Sequence, residues 1–96
     1  MDIRVLRYFL AVAREGNITR AAESLHIAQP TLSKQLMELE LELGKKLLIR
    51  GKRNITLTED GILLRKRAEE IVTLITKTRN EITADSQTIS GEISIG

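Results

Sequence analysis

Between Pro30 and Gly44 the apolar residues keep a strict step, with Leu32, Leu36, Leu39 and Leu43 recurring at intervals of four, three and four. That is the period of one face of an α-helix; a half-buried strand would need an interval of two. The helix carries its own punctuation. Pro30 suits a first turn, where its missing N–H costs nothing, and Gly44 suits the left-handed residue that closes a helix. Such a stripe has to be covered by other helices, and the preceding residues supply two. Ile3, Leu6, Phe9, Leu10 and Ala13 give an amphipathic helix from Asp2 to about Arg14, broken by "EGN" (15–17) with Gly16 as its C-cap. A short second helix runs from about Ile18 to Leu25, with Asn17 or Thr19 as N-cap. Ala21, Ala22 and Leu25 form its packed side, and the two alanines let another helix cross closely. "HIAQ" is then a tight connection.

After Gly44 the pattern changes. "LLIRGKRNITLT" (47–58) sets two short apolar runs around a four-residue, glycine-containing basic turn, which predicts a β-hairpin. Thr58 then caps a long helix, with Glu59 and Asp60 placed favourably against its N-terminal dipole. This helix is expected to reach about Asp85, roughly 40 Å at 1.5 Å per residue. Leu64, Ala68, Ile71, Ile75, Thr78 and Ile82 recur along it at alternating steps of four and three, a heptad-like seam. A seam longer than its own domain calls for a partner helix, most simply from a second copy; the other reading packs it wholly on the first helix. The tail "SQTISGEISIG" (86–96) reads as a hinge followed by the first strand of another domain, since one strand is not stable without neighbours.

Ninety-six residues suffice for one small core, and with 42% hydrophobic and 29% charged residues the chain is composed as a folded domain. Without cysteine there is no disulfide framework or thiolate metal site, which suits a reducing cytoplasm. No apolar run approaches the roughly 20 residues needed to span a bilayer, so no membrane role is expected. The net charge of +2 says little, but its distribution is uneven. Residues 1–43 hold five Lys/Arg against six Asp/Glu, whereas residues 45–67 hold eight against two. That basic block is either a solvated face or the place where a polyanion is held.

A mainly α chain with a small β-hairpin, in which two short helices are joined by a tight turn and followed by a basic hairpin, describes a winged helix-turn-helix. In that arrangement the second helix of the pair enters the major groove with its N-terminal end first. Its first turns must then be slim and polar, as Gln29, Pro30, Thr31, Ser33 and Lys34 are. Gln can pair with adenine and Lys with guanine edges, while the free N–H groups of the first turn favour a phosphate. The hairpin would rest on the neighbouring backbone or minor groove. With only Tyr8 and Phe9 as aromatics, both in helix one, the chain lacks the stacking rings that single-strand binders use, which favours duplex DNA. Catalytic readings find no footing. His26, the only histidine, has no second ligand and reads as a turn residue; Ser33 has no base in motif form. Glu38, Glu40 and Glu42 read as a solvated face.

The stretches "LRYFLAVAREGNITRAAESLHIAQPTLSKQLMELELELG", "L-x-x-R" (47–50) and "LTEDG" (57–61) resemble the DNA-binding region of LysR-type transcriptional regulators, a likeness covering residues 2–85. The resemblance implies a winged helix-turn-helix over 1–58, with the helix-turn-helix at about 18–37 and the wing at about 47–58. It also implies a linker and dimerisation helix over 59–85, and at 86–96 a hinge into an absent domain that would bind a small-molecule effector. Partners implied are double-stranded DNA and a homodimer through the linker helix, assembled in some full-length relatives into tetramers. Residue by residue it places Gln29, Pro30, Thr31, Ser33 and Lys34 on the recognition helix. Thr19 and Arg20 fall at the front of the preceding helix, and Arg50, Lys52 and Arg53 on the wing. Departures are Leu48 where the family usually has Phe, and a wing glycine at 51 instead of 52. Met37 and Leu41 stand where the family often has a basic and an acidic residue; they either cover a neighbouring surface or are simply tolerated.

Two functions of different class therefore stand. The first is a sequence-specific duplex-DNA-binding dimer from a bacterial transcription factor, with no catalysis of its own and no cofactor in this stretch. The second is a coiled-coil protein–protein adaptor with a basic partner-binding patch, which would dimerise but show no salt-dependent binding to DNA.

Overall fold

The computed structural model describes the backbone of residues 1–91 and the side chains of residues 1–84. Its elements are α1 (Ile3–Glu15), α2 (Ile18–Leu25), α3 (Gln29–Leu43), β1 (Leu48–Arg50), β2 (Ile55–Leu57) and α4 (Glu59–Gly91). The two strands pair antiparallel, with Leu48 opposite Leu57 and Arg50 opposite Ile55.

Local chemistry sets each boundary. The Asp2 carboxylate caps α1 by accepting from the Val5 N–H at 2.9 Å, and that bond holds its pKa below the ordinary 3.8. A carboxyl depressed in this way stabilises the fold above its ordinary pKa, and its contribution is lost as the pH falls below 4. Gly16 ends α1 at φ 66°, in the left-handed region, and its carbonyl accepts from the Ile55 N–H at 2.8 Å, tying β2 to the first turn. Asn17, not Thr19, caps α2, accepting from the Arg20 N–H at 2.9 Å. His26 closes α2 in the left-handed conformation, at φ 59°, so the lone histidine serves the turn. Thr58 caps α4: its hydroxyl accepts from the Gly61 N–H at 3.0 Å and donates to the Lys46 carbonyl at 2.7 Å.

The core lies where α1, α2 and α3 meet, with the hairpin closing one side. Phe9, Val12, Leu32, Leu36 and Leu39 are fully buried, and Ala21 and Ala22 lie in the same core cluster on the packed side of α2. Burial of each large side chain is worth about 1.5–3 kcal/mol. Three sequence expectations are corrected here. The buried stripe of α1 is turned toward Val5, Ala11 and Val12, leaving Ile3, Leu10 and Ala13 half-buried; α1 packs against α2, α3 and α4 at once, so its covered arc is wider than one stripe. Leu43, in the last turn of α3, is 38% exposed. Glu40 is half-buried and hydrogen-bonded to the chain instead of lying on a solvated face.

Helix α4 runs on to Gly91, past the expected end near Asp85, so residues 86–91 continue the helix where a hinge was expected; the expected strand at 92–96 lies outside the described residues. Only its first part is covered. Leu64 packs on the core and Ala68 is fully buried on the side that meets α1. Farther along, Ile71, Thr78 and Ile82 are exposed and Ile75 is half-buried. Along the six-residue seam, the first two positions thus pack with this chain's own core.

The entry of α4 depends on Gly61, which is buried against Leu47, just before β1, and Leu57 of β2. A Cβ there would fall inside the van der Waals envelope of the Leu47 carbonyl oxygen and 3.2 Å from the Leu57 Cβ. In an exposed helix Ala is better than Gly by about 1 kcal/mol. Here Gly61→Ala is expected to destabilise instead, by about 1–3 kcal/mol, the usual cost of overpacking. The midpoint of thermal unfolding followed by circular dichroism should fall by several degrees; an unchanged or raised midpoint would refute the close approach of α4 to the Leu47 carbonyl.

Candidate nucleic-acid interface

The polar side of the domain is assembled from the N-terminal ends of two helices. Helix α3 starts at Gln29 with Ala28 as a cap that offers no side-chain hydrogen bond, and Pro30 occupies its first turn. The first helical bond is donated by Leu32 to the Ala28 carbonyl at 3.2 Å, which leaves the N–H groups of Gln29 and Thr31 without helical partners. Leu32 and Leu36 anchor the helix to the core by its opposite face. Gln29, Pro30, Thr31 and Lys34 are consequently exposed together, with Ser33 half-buried at their edge.

Across the turn, the Thr19 hydroxyl donates to Gln29 Oε1 at 3.4 Å, joining the front of α2 to the front of α3. Arg20 stands exposed beside it. The wing approaches the same end from below. Arg50 and Arg53, with Asn17, Ile18, Gly51, Asn54 and Ile55, line a cleft of about 200 Å³ at the N-terminus of α2. That position was not readable from the sequence: Asn17 and Arg53 meet only because β2 bonds to Gly16. Lys52 is exposed at the hairpin turn, closed by the Gly51 N–H on the Asn54 carbonyl at 2.9 Å.

The electrostatics sort the basic residues into two groups. Arg14, Lys46 and Arg67 each pair with a carboxylate, at 3.3, 3.9 and 2.9 Å. The other twelve take part in no ion pair among the described residues, and of these Arg20, Lys34, Arg50, Lys52 and Arg53 stand on this side of the domain. Unpaired cations beside uncapped N–H groups form a surface suited to an extended anion. Its chemistry is that of binding; backbone N–H groups, guanidinium and ammonium groups donate, and short hydroxyl and amide side chains can donate or accept.

Sequence reasoning missed Glu40, whose carboxylate accepts from the Leu47 and Leu48 N–H groups at 2.8 and 3.2 Å. It also missed Leu63 and Leu74, exposed at 54% and 61% on α4. The signal for the two leucines was present, since at helical spacing they widen the stripe of Ile71 and Ile82 on its edge away from Ala68. Glu40 gave none, because its partners are backbone groups.

Comparison with known proteins adds the following. The family described as bacterial regulatory helix-turn-helix protein, lysR family, matches residues 3–62. The HTH-type transcriptional regulator BsdA of Bacillus subtilis is 44% identical over the whole of this chain, which spans 33% of that protein. The nitrogen assimilation regulatory protein nac of Klebsiella aerogenes is 43% identical over the whole chain and 32% of its own length. The chain thus spans about a third of these curated relatives. Among solved structures, the CbnR DNA-binding domain in complex with DNA superposes with a TM-score of 0.84 at 38% identity, covering 90% of this chain and 99% of that one. The BenM DNA-binding domain on its benA site 1 DNA gives 0.84 at 39% identity, covering 88% and 98%.

Proposed function

The chain belongs to the lysR family of bacterial regulatory helix-turn-helix proteins, and from that premise we propose that it binds double-stranded DNA sequence-specifically as the N-terminal part of a transcriptional regulator. Residues 1–58 form the DNA-reading unit, α4 is the linker and dimerisation helix, and the rest of a full-length protein binds a small-molecule effector. A tetramer built from such dimers and a cytoplasmic place belong to the same reading.

The observation that carries it is the exposed, uncapped first turn of α3, flanked by unpaired cations on α2 and the wing. It is supported by relatives of the same fold solved on DNA. In this reading Gln29, Pro30, Thr31, Ser33 and Lys34 enter the major groove, where Gln29 and Lys34 reach base edges. Thr19, Arg20 and the N–H groups of α3 hold one strand's phosphates, and Arg50, Lys52 and Arg53 hold the backbone beside the minor groove. Phosphate contacts give affinity and salt dependence; the α3 side chains give sequence preference.

Dimerisation follows from what α4 leaves uncovered. Leu63, Ile71, Leu74 and Ile82 are exposed at 54, 39, 61 and 63%, on one stripe with Thr78. Their positions are symmetric about residues 72 and 73, so two antiparallel copies of α4 would set Leu63 against Ile82 and Ile71 against Leu74 of the second copy. A two-fold interface demands such self-complementarity. Two reading helices related by that axis would then address a two-fold-related site.

Selection of a randomised duplex pool against the protein at two salt concentrations should enrich a two-fold-related sequence, with binding that weakens steeply as salt rises. Absence of binding at both concentrations would favour the adaptor reading. Lys34→Ala should cost about 1–3 kcal/mol on the enriched site if the ammonium meets a base edge; unchanged affinity and preference would remove it from the readout. An Ile71→Asp, Leu74→Asp double variant should sediment as a monomer, and a persisting dimer would place the interface elsewhere.

A further inference from the structure

The backbone of residues 46–48, where the wing begins, is held from two sides. From α3, Glu40 Oε2 accepts both the Leu47 N–H at 2.8 Å and the Leu48 N–H at 3.2 Å, while Oε1 lies 3.9 Å from the Lys46 ammonium. Only 13% of the Glu40 side chain is exposed. From the cap of α4, the Thr58 hydroxyl donates to the Lys46 carbonyl at 2.7 Å, and the Thr58 N–H donates to the Leu47 carbonyl at 3.1 Å. Among the described residues Glu40 is the only side chain of α3 hydrogen-bonded to this segment. The hairpin it steadies has three residues per strand, too short to hold its own orientation.

We infer that Glu40 is a positioning residue for DNA binding: it fixes the wing, and with it Arg50 and Arg53, relative to the first turn of α3. The inference rests on the reading that α3 and the wing grip one duplex. Glu40 acts through the wing, since one carboxylate oxygen is already shared by two N–H groups and the other faces Lys46. Its place near the C-terminal end of α3 separates the two functions of that helix. The first turns face the ligand, and the later turns orient the second gripping element. A charge-assisted bond to two adjacent N–H groups is directional, so it sets an angle as well as a distance.

Two measurements test this on wild type, Glu40→Ala and Glu40→Gln. Amide hydrogen exchange should show the Leu47 and Leu48 N–H groups losing at least about tenfold protection in Glu40→Ala, with Phe9 and Leu36 unchanged. Glu40→Gln, which keeps an acceptor oxygen, should stay near wild type. Duplex binding against salt should then show Glu40→Ala weakened, with a slope shallower by about one to two units, the loss of one or two phosphate contacts. Glu40→Gln should recover the slope. The Glu40→Ala, Arg53→Ala double variant should bind no worse than about the weaker single variant, because both changes remove the same wing contact. Full multiplication of the two losses, wild-type binding by Glu40→Ala, or retained protection at Leu47 and Leu48 would each overturn the inference. An unchanged slope in Arg53→Ala alone would refute the wing–phosphate contact instead, and the exchange result would still decide whether Glu40 holds the wing. If Glu40→Ala does not fold, Glu40→Asp replaces it in both measurements, since its shorter arm cannot reach both N–H groups.

Discussion

Three elements meet on one stretch of backbone, residues 46–48, and their contact leaves no room for a side chain at position 61. The N–H groups of Leu47 and Leu48 go to Glu40 on α3, and the carbonyls of Lys46 and Leu47 go to Thr58 at the head of α4. With these partners satisfied, the segment has one conformation relative to both helices. The hairpin, the direction in which α4 leaves the domain and the placing of α3 all follow from it. A second tie, from Ile55 to the Gly16 carbonyl, fixes the far strand to the turn between α1 and α2. The wing is thus braced at both strands by atoms of the three-helix body.

This bracing explains how a domain with so small a core can present a defined polar surface. At the front of α2 and α3 the short Thr19, Thr31 and Ser33 stand among the longer Arg20, Gln29 and Lys34, on helices whose other faces hold Ala21, Ala22, Leu32 and Leu36 almost without exposure. Rigid backbone beneath the short ones leaves few rotamers to order when a ligand binds, so less conformational entropy is lost there. The wing cations behave in the opposite way. Arg50, Lys52 and Arg53 sit at the end and turn of a hairpin with three-residue strands, and their reach can adapt to a phosphate backbone once the root of the hairpin is held.

Much of this was legible in the chain. The step of Leu32, Leu36 and Leu39, the breaks at Gly16 and Gly44 and the Thr58 cap are local signals, decided by residues within one or two turns. The polar first turn of α3 was legible for the same reason. Leu43 was misread because its periodicity is right while the fold leaves it 38% exposed. The α4 seam left its covering neighbour open on similar grounds. Leu64 and Ala68 fit the heptad step, yet they pack with this chain's own core, and the exposed apolar residues of α4 include Leu63 and Leu74. Periodicity reports that a helix has an apolar face but not which neighbour covers it.

The sequence by itself determined the order of elements, the helix ends, the cationic wing and the polar start of α3, because each depends on side chains near one another along the chain. Only the tertiary structure decided that Glu40 is a tie instead of a solvated charge, that Arg50 and Arg53 stand beside Asn17, and which positions of α4 remain free. Those facts rest on contacts to backbone atoms and to helices distant in sequence. A backbone N–H is the same at every position, so no residue type announces which one a carboxylate will find.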